Sequence, residues 1–142
     1  MEKTGRAIIF VPNTNNEKFY SIKRTKIKNG NKNIYYTIPG GHLEDKESYE
    51  EATLREIKEE LGIDIKIKEE LISLFNEDLK RQETFFIADY ISGEIGTGDG
   101  EEWSGNDEKY GKYEIVELEI KNLNRYNLLP IEVKNLLIEN NK

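Results

Sequence analysis

Glu56, Glu59 and Glu60 are the residues whose type and spacing point most directly to chemistry. On a helical wheel they fall within an arc of roughly 100°. Carboxylates that close repel one another at neutral pH, and no cation stands four residues further on to relieve them. A divalent ion from outside the chain would do so, and hard oxygen donors of this kind suit Mg2+ or Mn2+. The competing reading is a solvated acidic face, which acidic proteins commonly carry.

The neighbouring residues supply what such a helix needs. Ser48 and Glu51 form a capping-box pattern that predicts a helix start at about Ser48. Gly62 stands where helices commonly end in a left-handed residue. Leu54, Ile57 and Leu61 predict an apolar stripe that docks the helix on a sheet. Arg55 borders the acidic arc, and its planar fork can clamp a carboxylate, with Glu47 in the preceding loop the preferred partner. Before the loop, Pro39-Gly40-Gly41 lets the backbone come close to a ligand or metal.

Gly41, Glu47 and the run Arg55-Glu56-Ile57-Lys58-Glu59-Glu60-Leu61-Gly62-Ile63 resemble the complete signature of the Nudix hydrolases, G-x5-E-x7-R-E-U-x-E-E-x-G-U with U aliphatic. The resemblance implies an α+β fold, an α/β/α sandwich with a mixed β-sheet between helices. It implies hydrolysis of a nucleoside diphosphate linked to some group X, with Mg2+ or Mn2+ as cofactor. By the same resemblance Glu56 and Glu60 are direct metal ligands, joined by the backbone carbonyl of Gly40. Glu59 coordinates or acts as a base, while Glu47 and Arg55 position the others. A further carboxylate from a later loop is implied, Glu102 being preferred over Glu101. Arg24 resembles a basic residue that meets a phosphate in MutT-like members, and Asn124 resembles the asparagine that those members present to a purine. The competing readings are an edge-strand charge for Arg24 and a loop asparagine for Asn124. Trp103, beside Glu102, either stacks on a base or covers the core edge.

Length and composition are compatible with this. The 142 residues suit a single domain, 1–142, with one proper core. Hydrophobic residues at 36% and charged ones at 35% predict a soluble protein whose core segments are short and separated. There is no cysteine, which removes disulfides, thiolate zinc sites and cysteine nucleophiles, and with them an isomerase that would need a reacting cysteine. The lone His42 cannot build a zinc site by itself. Met1 to Phe10 lacks the long apolar run of a signal peptide, and no stretch approaches membrane-spanning length, so a cytoplasmic protein without a membrane partner is expected. A net charge of −7 argues against a duplex nucleic acid partner. It also means that a polyphosphate substrate meets repulsion unless cations neutralise the site.

Read in order, Ala7–Val11 and Phe19–Arg24 predict strands separated by turn chemistry at Pro12 to Asn16. Lys26–Asn33 reads as an exposed basic loop, and Ile34–Ile38 as a strand leading into the glycines. After the helix, Ile65–Ile67 and Leu71–Phe75 suggest a strand pair or one interrupted strand. Thr84–Ile91 and Tyr113–Ile120 read as strands flanking a long polar loop, Ser92–Lys112. Pro130 opens a second helix with Ile131, Val133, Leu136 and Leu137 on its apolar face.

The leading substrate expectation is a nucleoside triphosphate such as oxidised dGTP, cleaved to the monophosphate and pyrophosphate by a monomer or homodimer. The proline that ADP-ribose enzymes carry some way past the signature is absent, as are the markers of dinucleoside polyphosphate and NADH enzymes. The alternatives are hydrolysis of nucleotide sugars, dinucleoside polyphosphates or RNA 5′ ends, or a nucleotide-sensing module without turnover. Intact glutamates argue against the last, and the modest basic cluster of Lys23, Arg24, Lys26, Lys28 and Lys32 gives RNA ends little support.

Overall fold

The computed structural model describes residues 1–98 and 111–141. In chain order the elements are β1 (Glu2–Ile9), β2 (Lys18–Lys28), β3 (Asn31–Thr37), β4 (Gly40–His42), α1 (Tyr49–Leu61), β5 (Ile63–Asn76), β6 (Arg81–Gly93), β7 (Lys112–Glu119), a 3-10 helix (Ile120–Arg125), β8 (Leu128–Leu129) and α2 (Ile131–Asn140). The expected α+β class is observed. The strands, however, divide into two four-stranded sheets, in the orders β4-β1-β6-β5 and β7-β2-β3-β8. The first is mixed, since β1 runs parallel to β6 and antiparallel to β4. The break falls where β1 ends: the Phe10–Phe19 bridge and the bond from Val11 N to Lys18 O, 2.9 Å, are the backbone links seen there among the described residues.

Strand periodicity explains the core. Successive side chains of β1 point to opposite faces, so Ala7 and Ile9 pack with Ile57, Leu61 and Ile63 on the α1 side. Ile8 joins Phe19, Phe85, Val133 and Leu137 on the α2 side. Both faces of this strand are covered, which is why its sequence is a continuous apolar run rather than an alternating one.

Three sequence expectations need correction. Lys26–Asn33 is not a loop: β2 and β3 run through it, paired from Ile22↔Thr37 to Lys28↔Asn31. Asn29 and Gly30 carry φ of 53° and 78°, the geometry of a type I′ hairpin turn, so the Asn-Gly pair was the missed signal. By contrast, Leu71–Phe75 and Ile65–Ile67 belong to one 14-residue strand, β5, interrupted in its register against β6, the second of the two expected alternatives. Leu54 does not dock the helix; it is 43% exposed. The buried face of α1 is instead Ala52, Thr53, Ile57, Glu60 and Leu61. A Cβ on Gly5 would fall on the Thr53 hydroxyl and the Tyr49 carbonyl, so the bare backbone of β1 draws the helix down along that line. Thr53 tolerates this burial because its hydroxyl donates to Tyr49 O at 2.7 Å. In α2, Val133 and Leu137 are buried as expected, but Ile131 is exposed.

Candidate active site

Helix α1 starts as its sequence predicts. Ser48 Oγ accepts from Glu51 N at 3.0 Å and Glu51 Oε1 accepts from Ser48 N at 2.9 Å, a complete capping box. It ends at Gly62, left-handed with φ 83°, whose N–H donates to Lys58 O. These two ends fix the register in which the glutamates are displayed.

Arg55 organises the entry to the site. Its Nε and Nη2 donate to the two carboxylate oxygens of Glu47 at 2.8 and 2.9 Å, the expected fork. Nη2 also donates to His42 O at 3.0 Å, and Nη1 donates to Glu56 Oε1 at 3.0 Å and to both oxygens of Glu59 at 3.3 Å. The acidic arc is therefore partly relieved from within the chain, by a cation one residue before Glu56 and four before Glu59. The hydrogen bonds from Arg55 and from Glu44 N hold the Glu47 carboxyl far below its ordinary range, at about 2. The same contact, with Glu56 adding to it, raises the Arg55 guanidinium.

Glu56 and Glu60 reach the glycine turn. A Cβ at Gly41 would fall on the Glu56 carboxyl group, so only glycine leaves that carboxylate its place. Glu60, 7% exposed, accepts from Gly40 N at 3.1 Å. Gly40 is held in turn by its pairing with Arg6, and Arg6 Nη1 donates to Ile38 O at 2.9 Å. Glu59 turns away to Arg55 and remains more exposed, at 43% of its side chain.

Glu56, Glu60 and the glycine turn line a cleft of about 850 Å³ to which both sheets contribute, whereas Glu47, Arg55 and Glu59 are not part of its lining. The first sheet and α1 contribute Gly40, Gly41, Glu56 and Glu60, with Arg6, Arg81 and Glu83 beside them. The second sheet contributes Arg24, Lys26, Tyr35 and Tyr113, and the start of α2 adds Ile131. Arg24 is thus brought into the cleft. Its guanidinium carbon lies 4.3 Å from the Tyr113 ring centroid and 5.5 Å from that of Tyr35, and Nη2 donates to the Tyr113 hydroxyl. Its buried Nε has no hydrogen-bond partner among the described residues. Asn124 is not brought there: it is exposed on the 3-10 helix and is not part of the cleft lining. Glu101, Glu102 and Trp103 lie outside the described residues.

Sequence reasoning missed Arg6, Arg81 and Glu83, and it missed Tyr35 and Tyr113 as cleft residues. A signal existed for the first group. Arg6 has the parity of the buried Ile8, and Glu83 that of the buried Phe85, so each is a charge at an inward position of a strand.

Among the described residues no three acidic or histidine side chains converge tightly enough to enclose an ion unaided. The donor set nevertheless fits Mg2+, which keeps several waters and is held through one or two carboxylates plus substrate phosphates rather than by an all-protein cage. Glu56 and Glu60 supply such a pair beside a glycine backbone.

The NUDIX domain model matches residues 3–124. This chain belongs to the Nudix family. Its similarity to individual members is more limited. It is 38% identical over 87 residues to an ADP-ribose pyrophosphatase of Methanocaldococcus jannaschii, a match spanning 58% of this chain and 52% of that protein. An 8-oxo-dGTP diphosphatase of Proteus vulgaris is 55% identical over 31 residues, 22% of this chain and 28% of that one. The chain thus spans about half, or less, of the curated relatives it matches. The Nudix fold itself is similar throughout to a solved structure of MutT from the pair Aliivibrio salmonicida and Vibrio cholerae, with a TM-score of 0.66, 22% identity, and 97% and 96% of the two chains covered. No helix among the described residues is long and apolar enough to cross a membrane.

Proposed function

We propose that residues 1–142 form one Nudix domain that hydrolyses a nucleoside diphosphate linked to X, with a divalent cation as cofactor. The observation that carries this reading is the meeting of Glu56 and Glu60 with the Gly40–Gly41 turn at the cleft, under the control of Arg55. Glu56, Glu60 and the Gly40 carbonyl would hold the cation, Mg2+ or Mn2+. When bound, the ion supplies charge neutralisation for phosphate oxygens and acidifies a coordinated water.

The chain's own residues do the rest. Glu47 locks Arg55, and Arg55 orients Glu56 and Glu59 through the same guanidinium. Glu59, the most solvent-accessible of the three, would coordinate the cation or accept a proton from water as general base once released from Arg55. Arg24, which lines the cleft, offers its charge to a phosphate on the second-sheet side.

For the substrate, oxidised dGTP remains the leading reading, with the monophosphate and pyrophosphate as products. It is supported by the MutT-like fold and by the short match to an 8-oxo-dGTP diphosphatase. A second reading, ADP-ribose, is favoured by the longer match to the archaeal ADP-ribose pyrophosphatase. The deciding experiment is a panel of 8-oxo-dGTP, the ordinary nucleotides, ADP-ribose, nucleotide sugars and dinucleoside polyphosphates with Mg2+ or Mn2+. Pyrophosphate and phosphate release are assayed separately, and the products identified. Turnover of 8-oxo-dGTP well above dGTP supports the first reading, and preference for ADP-ribose replaces it with the second. Folded Glu60→Gln protein that keeps the parental rate on every accepted substrate would overturn the hydrolase proposal.

A further inference from the structure

The cleft contains a buried carboxylate that the hydrolytic machinery does not use. Glu83, on β6 and 4% exposed, lines the same cleft as Glu60. Its contacts all converge on one oxygen: Arg81 Nε donates to Oε1 at 3.0 Å, Thr4 Oγ1 donates to it at 3.2 Å, and Arg6 Nε lies 3.4 Å away. The other oxygen, Oε2, takes none of these bonds, and it is not a fully buried unpartnered atom as Arg24 Nε is, so it opens on the cleft.

A buried carboxylate costs too much to retain without compensation, and two arginines supply the charge compensation here. They do not supply a partner for Oε2. A carboxylate oxygen that its neighbours leave unbonded and that faces the cleft suits a hydrogen-bond donor that arrives with the ligand. The arginines also fix its orientation. Arg6 is tied at its other end to Ile38 O, next to the Gly40 turn, so Glu83 is held in register with the residues around Glu60.

We infer that Glu83 is a specificity residue, whose Oε2 accepts a hydrogen bond from an N–H or O–H of the moiety borne by the diphosphate. The inference rests on the hydrolase reading above and deepens it: the accepted moiety is polar and donor-bearing at the end that meets β6. Three sources of that donor can be separated. Oxidation of guanine creates an N–H at N7, the guanine 2-amino group is absent from hypoxanthine, and the ribose 2′-hydroxyl is absent from deoxynucleotides.

The test is a coupling measurement between enzyme and substrate. Rates are measured for the parent, Glu83→Gln and Glu83→Asp on the pairs 8-oxo-dGTP and dGTP, dGTP and dITP, and GTP and dGTP. The ADP-ribose and 2′-deoxy-ADP-ribose pair is added. Glu83→Asp keeps the charge that balances Arg6 and withdraws the oxygen by one methylene, so it guards against failure of the Gln variant to fold. Circular dichroism and melting confirm folding of each. The expected result is a fall in kcat/KM of about 10- to 100-fold on the donor-bearing member of one pair, carried mainly by KM, and a much smaller change on its partner. The pair that shows the coupling identifies the donor. Folded variants that lose the same factor on both members of every pair overturn the inference. A parent enzyme inert on the whole panel instead overturns the hydrolase reading on which it rests.

Discussion

On the α1 side of the cleft the chemistry-bearing groups come from one continuous run, Gly40 to Glu60, held by a capping box and one arginine. The second-sheet side gathers Arg24 from β2, Tyr35 from β3, Tyr113 from β7 and Ile131 from α2. The first assembly is specified by local spacing. The second exists only once distant strands have paired, Arg24 with Tyr35 on one side and with Tyr113 on the other. On the proposed reading, the hydrolytic groups are encoded compactly, while the recognition groups are spread over the fold.

If that division holds, substitutions on the α1 side lower turnover for every substrate, and those on the second-sheet side re-rank substrates. The largest effect is expected for Glu56→Gln, a loss in kcat on the order of 10²–10⁴ on all accepted substrates with an unchanged fold. Steady-state kinetics across the panel, with a thermal melt, check it. A loss confined to one substrate would break the comparison.

Arg55→Lys comes next. A lysine cannot reproduce a fork that serves Glu47, Glu56, Glu59 and His42 O together. We expect a fall of about 10- to 100-fold in apparent metal affinity, read by activity titrations with Mg2+. The clamp also leaves a pH signature. The Glu47 carboxyl lies at about 2 in the folded protein against an ordinary 4.5, so its contribution to stability is complete above that ordinary value. It is lost as the pH falls through the folded value. Melting temperature should therefore drop more steeply between these two limits in the parent than in Arg55→Met, which no longer has the contact to lose.

Arg24→Met sharpens the other half of the comparison. It should lower kcat/KM by about 10-fold, by different factors for different substrates, with kcat nearly preserved. A uniform loss in kcat would place Arg24 with the hydrolytic groups instead. The smallest effect belongs to Gly30→Ala, at the left-handed turn of the β2–β3 hairpin. An added Cβ meets nothing there, so only backbone strain of about 1 kcal/mol is expected, seen as a small drop in melting temperature with unchanged kinetics.

This asymmetry also decides what could be read before folding. The helix ends, the glycine turn and the Arg55–Glu47 clamp follow from residues close in sequence, whose geometry is set by helix pitch and cap chemistry. The exposure of Leu54 is not legible in helix spacing, because the face that α1 buries includes the Thr53 side packed on Gly5, far away in the chain. The pairing of Arg6 with Glu83 could not be read either, since it depends on β1 lying parallel and directly beside β6, a strand far away in the chain. Asn124 was assigned by likeness to a purine contact, and the fold leaves it outside the cleft.

The last turn of α1 is fastened from outside the helix. Gly96 N donates to Leu61 O at 3.0 Å, Thr97 Oγ1 to Gly62 O at 3.4 Å, and Gly98 lies where any side chain would strike the Glu59 carbonyl. Fraying at that terminus therefore has to break a tether to a segment more than thirty residues downstream. Slow amide hydrogen exchange at Gly96 would report on the same opening that releases Glu59 and Glu60, making the two regions one cooperative unit.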